Sequence, residues 1–307
     1  MSESSVPRSV AIIGAGEIGS GWAALFAAHG ADVQIFDPDP SVETRVRRAI
    51  ECASRLLDVD KTPGTATVHQ RLAEALDGVG WVQESLPEQL TLKRTMFAII
   101  DTRAPRDAII ASSTSTHTVN DLVSGLSCGE RTVIAHPLHP VYAVPVIELV
   151  GGPQTKSATL DRAERVMREL GRDPIRVRGE LRGLVSNRLT AALLREAFDL
   201  VARGVIDARD LDRLVARGIA LGWVTAGPLR TEAIAGGARG FEGFLDNLSE
   251  PLSHLWRSLA SWHALEPRQR YALERSMELH ASSRSPSPNE CGWAEWLART
   301  AEVAKEK

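Results

Sequence analysis

The 307-residue chain has 43% hydrophobic and 24% charged residues, the profile of a folded globular protein of about two domains at roughly 150 residues each. A formal net charge of −3 excludes the basic footprint of nucleic-acid or anionic-membrane binding, and no apolar run nears the ~18 residues that span a bilayer. Cys52, Cys128 and Cys291, odd in number and far apart, exclude a disulfide framework or Cys-rich zinc site and suit a reducing compartment. Strand-like sequence within the first ten residues leaves no room for a signal peptide, so the expectation is a soluble cytoplasmic protein.

In chain order, Ser9–Ile13, Val33–Phe36, Trp81–Glu84, Ala108–Ala111, Thr132–Ala135 and Val146–Leu149 read as strands, with Asp173–Val177 as one more. Ile18–His29, Val42–Leu57, Leu90–Ile100 and Thr159–Leu170 carry apolar residues at helical spacing between them. This alternation predicts an α/β fold, a doubly wound and mostly parallel sheet with helices on both faces. Past Arg178–Gly183 the pattern turns helical, over Leu184–Arg203, Leu211–Ile219, Gly243–Ala260, Gln269–His280 and Trp293–Lys307. A Ser/Pro loop, Ala281–Asn289, separates the last two. The expected organisation is an α/β domain over residues 1–180 and an all-helical C-terminal domain over residues 181–307.

Gly14-Ala15-Gly16-Glu17-Ile18-Gly19 follows the first strand and opens the first helix. There Gly14 makes the tight turn, Gly16 lets the backbone approach a diphosphate, and Gly19 lets helix and strand pack closely. The N–H groups at the helix start, around Glu17 and Ile18, then face an anion. Asp37 ends the next strand, 18 residues beyond Gly19, where a carboxylate accepts from the ribose hydroxyls of a dinucleotide. The same carboxylate repels a 2′-phosphate, which favours NAD over NADP.

A hydroxyl-rich loop, Ser112–Thr116, lies at the carboxyl end of one expected strand, and His136 at the end of the next. Ligands of open α/β sheets bind at such ends. Histidine titrates near neutral pH and is the default proton acceptor for alcohol oxidation, and Glu148, twelve residues on, would orient it. The hydroxyl run equally fits turns and a cap for a helix over Val119–Leu126, and most histidines have no chemical role. The His136/His139 spacing makes no metal site, since prolines keep the segment out of a helix and no third ligand stands at a recognised spacing.

With these motifs the chain resembles the L-3-hydroxyacyl-CoA dehydrogenase superfamily. The resemblance rests on GAGEIG, on Gln83–Glu88 with Lys93, on the SSTS loop, on His136 with Glu148, and on Leu184–Arg188. It implies a Rossmann-type domain followed by a helical domain that commonly dimerises. It assigns Ser115 and Asn187 to hydrogen bonds around the reacting oxygen, His136 to acid–base transfer and Glu148 to its support. It also implies cofactor contacts at Glu88, Lys93 and Ser113. The segments WVQESLPEQLTLK and AHPLHPVYAVPVIELV are most similar to the branch of lambda-crystallin (L-gulonate 3-dehydrogenase) and L-carnitine dehydrogenase; Ala235–Gly237 leans toward the latter and Asn187 toward the former. His139 stands where the family usually has Asn, and Arg182 and Leu184 flank Gly183 where relatives have a Pro-Gly-Phe turn.

The resemblance implies an NAD-dependent oxidoreductase working as a homodimer on a small-molecule hydroxy acid. Two alternatives differ from this: a dehydrogenase of acyl-CoA or acyl-carrier-protein substrates, and a non-catalytic, crystallin-like NAD-binding protein. Pro38–Gly80 holds six basic and seven acidic residues, a poor receptor for the phosphates of CoA, which favours a free acid. Trp223 and Arg230, around the Gly227-Pro228 turn, are candidates to face an alkyl or ammonium group and a carboxylate.

Overall fold

Along the first strand, Val10 and Ile12 turn to one face of a sheet and Ala11 and Ile13 to the other, and all four are fully enclosed. A strand apolar at every position belongs in a sheet covered on both faces. The structure, a computed structural model, describes residues 4–59, 62–282 and 290–305. It contains β1 (Ser9–Ile13), β2 (Asp32–Phe36), β3 (Ala66–His69), β4 (Trp81–Glu84), β5 (Ile109–Ser112), β6 (Thr132–Pro137), β7 (Val146–Gly151) and β8 (Asp173–Arg176). They form one sheet in the order β3-β2-β1-β4-β5-β6-β7-β8, parallel throughout except for the antiparallel pair β6–β7. The order reverses between β1 and β4, which opens a crevice at their carboxyl ends.

Among the described residues, six α-helices precede residue 170: α1 (Glu17–Ala28), α2 (Val42–Leu56), α3 (Leu72–Ala75), α4 (Leu90–Arg103), α5 (Val119–Val123) and α6 (Ser157–Glu169). Trp22 and Phe26 of α1 share one core with Val166 and Met167 of α6, while Phe97 and Ile100 of α4 share the other with Leu122 of α5. All seven expected strands are present, with ends within two residues of expectation. The edge strand β3 was not expected from the sequence. Only Val68 of its four residues reaches the core, so it lacks the apolar run that marks an inner strand.

Among the described residues, seven α-helices follow: α7 (Val185–Ala202), α8 (Ala208–Leu214), α9 (Ala220–Ala226), α10 (Pro228–Ala235), α11 (Gly240–Ser258), α12 (Pro267–Ser282) and α13 (Glu290–Lys305). The stretch read as one helix over Leu211–Ile219 is two pieces, because a π-helical turn at Val215–Ile219 separates α8 from α9. Pro228 sits at the first helical position of α10, where its missing N–H costs nothing. Glycines bring α10 and α11 together: a Cβ on Gly236 would lie 1.8 Å from the Gly240 carbonyl, and one on Gly243 would lie 2.6 Å from that of Gly236. Most of the Ser/Pro loop lies outside the described residues.

The chain divides into one unit of Met1–Asn187 with Asn289–Ala301 and a second of Arg188–Pro288 with Glu302–Lys307. The sequence suggests a boundary near residue 180; the first compact unit runs to Asn187 and also takes in α13 as far as Ala301. There Ala294 is fully enclosed beside Ala49, Ala53 and Tyr142. The expectation that cysteines so far apart would form no disulfide framework and suit a reducing compartment is corrected by one disulfide, between Cys52 of α2 and Cys291 of α13. Their 239-residue separation hides a contact that only the return of α13 creates. Cys128 is free and buried.

Candidate active site

The turn from β1 into α1 is shaped by its glycines. Gly14 has φ +86°, and a Cβ there would meet the Ser85 carbonyl at 2.9 Å. A Cβ on Gly19 would lie 1.9 Å from the Gly14 carbonyl, so the helix packs here only without a side chain. A Cβ on Gly16 would meet nothing within 4 Å, which leaves the mouth of the turn open beside the α1 N-terminus. The N–H groups at this end, Glu17 and Ile18 included, have no acceptor within the helix, and an anion fits them. Asp37 Oδ2 accepts from Ala15 N–H at 2.6 Å and Oδ1 from Asp39 N–H at 2.8 Å. A carboxylate has about four acceptor sites, so Asp37 keeps capacity for ribose hydroxyls at the rim of the same turn. Arg45 is committed to the Ala15 carbonyl at 2.7 Å and to Asp39 at 3.0 Å. The residues present thus fit a dinucleotide.

Beneath the hydroxyl-rich loop lies an ionic cluster whose extent the sequence does not reveal. Lys93 of α4 is 1% exposed, and its ammonium reaches Glu84 at 2.8 Å, the Leu86 carbonyl at 3.0 Å and Glu88 at 3.2 Å. Three donors thus have three acceptors. Lys93, expected beside a cofactor, is enclosed by protein groups. Glu84 is fully buried and also accepts from Leu86 N–H and the Ser112 hydroxyl. Glu88 clasps the loop: its Oε1 accepts from the Thr114 hydroxyl, Ser115 N–H at 3.1 Å, Thr116 N–H at 2.9 Å and the Thr116 hydroxyl at 2.7 Å. Burial pushes the Glu88 carboxyl up, but the Thr114 and Thr116 hydrogen bonds and the Lys93 charge outweigh it and hold the pKa at about 2. Thr118 caps α5 through a reciprocal pair with Asp121, so the cap uses Thr118 and leaves Ser115 outside it.

The antiparallel register sets His136 of β6 opposite Glu148 of β7. Both are buried, at 7% and 5% exposure, and His136 Nδ1 lies 3.1 Å from Glu148 Oε2. Nδ1 therefore donates to the carboxylate, leaving Nε2 for another partner. Glu148 also accepts from Val185 N–H at 2.8 Å, from Ser186 N–H at 3.1 Å and from the Ser186 hydroxyl, tying β7 to the first turn of α7. Burial raises its carboxyl pKa, while the Ser186, His136 and Val185 hydrogen bonds lower it further, and the net shift is downward. Asn187 Nδ2, one residue on, donates to the Ser115 carbonyl at 3.3 Å. The structure thus joins Asn187 to Ser115 and Glu148 to His136. Trp223, 37% exposed on α9, and Arg230, exposed on α10, belong to the second unit.

The low pKa of Glu88 gives a testable pH window. A carboxyl near 2 in the fold and near 4.5 when unfolded contributes stability that is full above pH 4.5 and fades as pH falls toward 2. Urea midpoints of the native protein and Glu88→Gln, compared at pH 6 and pH 3, should converge at the lower pH. A gap of unchanged size would show that the Glu88 charge does not stabilise the loop.

Family models place this geometry among known proteins. The model for the NAD binding domain of 3-hydroxyacyl-CoA dehydrogenase matches residues 9–181, and that for its C-terminal domain matches residues 183–270. The chain is 39% identical over 259 residues to L-carnitine dehydrogenase of Streptomyces coelicolor, covering 83% of this chain and 81% of that one. It is 33% identical over 304 residues to L-carnitine dehydrogenase of Oceanobacillus iheyensis, covering 97% and 99%. Its fold matches the crystal structure of 5-formyl-3-hydroxy-2-methylpyridine 4-carboxylic acid 5-dehydrogenase, an NAD+-dependent dismutase, with a TM-score of 0.76 and 29% identity over 97% of each chain. The chain belongs to the 3-hydroxyacyl-CoA dehydrogenase family of NAD-dependent oxidoreductases.

Proposed function

We propose that this chain oxidises the 3-hydroxyl of a small, free hydroxy acid of the L-carnitine kind to the 3-keto acid, with His136 as the acid–base group. The end-to-end similarity to a relative named L-carnitine dehydrogenase carries the substrate reading. Bound NAD supplies the hydride acceptor. As C3 loses its hydride and its C–O bond becomes a carbonyl, His136 Nε2 takes the hydroxyl proton. Glu148, held ionised by its hydrogen bonds, stabilises the imidazolium through Nδ1. Ser115 and Asn187, linked at 3.3 Å, flank the reacting oxygen and orient it. Glu88 keeps the cofactor contact that the family resemblance implies, and Lys93 acts by holding that carboxylate in place at 3.2 Å.

Trp223 and Arg230, both exposed in the second unit, stay candidates by residue type alone, since an aromatic face suits an alkyl-ammonium group and a guanidinium fork suits a carboxylate. An acyl-CoA substrate is disfavoured because Pro38–Gly80 has no excess of cations and Arg45 is neutralised by Asp39. A non-catalytic role would have no use for Ser115, His136, Glu148 and Asn187 held together.

The helical unit argues for a second copy of the chain. Among the described residues, Val201 and Ala208 are the only apolar side chains of residues 188–288 that are buried. Leu189, Leu229, Ile234 and Trp256 are each more than 60% exposed. An apolar surface of this extent marks an interface, and a homodimer covers it by symmetry.

Three outcomes are expected. NADH formation from L-carnitine or a related free acid should exceed, in kcat/KM, that from 3-hydroxybutyryl-CoA, and the opposite ranking would overturn the substrate class. His136→Ala should lower kcat by about 10²–10⁴-fold with NADH affinity intact, and near-normal turnover in the folded variant would refute the acid–base assignment. Light scattering should give about twice the 33.3 kDa chain mass, falling toward one chain in Leu229→Glu/Ile234→Glu; a monomeric native protein would exclude the dimer.

A further inference from the structure

Four side chains at the ends of β4 and β5 form a hydrogen-bond chain whose direction is fixed by chemistry alone. The Trp81 indole N–H lies 3.0 Å from Gln83 Oε1. An indole only donates, so this contact sets the orientation of the Gln83 amide and turns its NH₂ group to Ser113 Oγ, 2.9 Å away. The Trp22 indole N–H, from α1, reaches the same oxygen at 3.1 Å. Trp22, Trp81 and Gln83 are fully buried, so water does not compete with these bonds. Ser113 Oγ has two acceptor positions, and two obligate donors fill them. Its own proton then goes to Ser85 Oγ, 2.8 Å away.

The consequence falls on Ser85. Its hydroxyl receives a hydrogen bond from Ser113 and cannot return one, so its proton points elsewhere. Among the described residues no acceptor meets that proton. Ser85 stands against the glycine turn: a Cβ on Gly14 would touch its carbonyl at 2.9 Å, and one on Gly19 would approach its Cβ at 3.3 Å. It therefore sits at the β1/β4 switch point, where the diphosphate of a dinucleotide belongs. Diphosphate oxygens only accept, which complements a hydroxyl that here only donates.

We propose that Ser85 is the hydroxyl that donates to a diphosphate oxygen of NAD, aimed through Ser113 by Trp22, Trp81 and Gln83. Ser113, implied as a cofactor contact by resemblance, is saturated by protein groups and acts as the aiming residue. The inference rests on the NAD part of the functional reading and not on the substrate.

Binding titrations of NADH, ADP-ribose and adenosine, with no turnover involved, test it. Ser85→Ala, which removes one oxygen from a half-buried site, should weaken NADH and ADP-ribose about tenfold and leave adenosine, which has no phosphate, unchanged, as expected for a hydrogen bond to a charged group. Trp22→Phe frees an acceptor position on Ser113 and lets Ser85 turn inward; it should weaken NADH about twofold, and should cost nothing further in the Ser85→Ala background. Native affinity in Ser85→Ala, a loss seen with NADH but not ADP-ribose, or a Trp22→Phe effect that persists without the Ser85 hydroxyl would each overturn the proposal. Failure of the native protein to bind NADH would instead overturn the cofactor reading.

Discussion

A single carboxylate, that of Glu148, holds the His136 imidazole and the start of α7 in one arrangement. Burying an ion costs several kcal/mol unless its lone pairs are satisfied. Glu148 meets that condition with the His136 ring, two amides at the α7 N-terminus and the Ser186 hydroxyl. The helix end favours the negative charge through its aligned peptide dipoles. The antiparallel β6–β7 pairing makes this possible, because a short return places Glu148 directly across from His136 at the carboxyl end of β6. A parallel neighbour would need a long crossover to reach the same register.

The loop from Ser113 to Thr116 is held from two independent directions. Ser113 is fixed by the indole and amide donors of Trp22 and Gln83, and Thr114 and Thr116 by Glu88, which Lys93 anchors in turn. Ser115 has its N–H on Glu88 and its carbonyl on Asn187. Its backbone is thus pinned at both groups while its side chain has no such tether among the described residues. Reacting groups gain most when the surrounding shell removes their freedom before substrate arrives.

Much of this was legible in the sequence, for identifiable physical reasons. Inner strands such as β1 and β4 are apolar at nearly every position because both faces are covered, and glycines that clash with any Cβ mark the β1–α1 turn. His136 and Glu148 were readable as a pair because local pairing joins them. The edge strand β3 was not, since one core residue gives no periodicity. Cys52 and Cys291 meet only because α13 returns to α2, a long-range event without a local signal. The Glu88 clasp was also hidden: four donors converge on one oxygen through a loop 26 to 28 residues away, while spacing alone suggests a solvated helix start.

Leu184 is held by two demands that no single residue type meets together. Its backbone is left-handed, with φ +51°, directly after Gly183 at +81°, and its side chain is 1% exposed in the core beside α4 and α5. The left-handed region costs an L-residue about 1–2 kcal/mol, a cost glycine escapes. Burying a leucine side chain contributes about 1.5–3 kcal/mol, which glycine forfeits. The central value of the second exceeds that of the first, so a buried leucine offsets the strained backbone. Valine and isoleucine, branched at Cβ, would aggravate the backbone conflict, and asparagine would relieve it only by burying an amide. The permitted spectrum at this position is therefore narrow, limited to large apolar side chains unbranched at Cβ such as leucine, methionine and the phenylalanine of relatives, and this narrowness comes from the junction that presents the Val185 and Ser186 amides to Glu148.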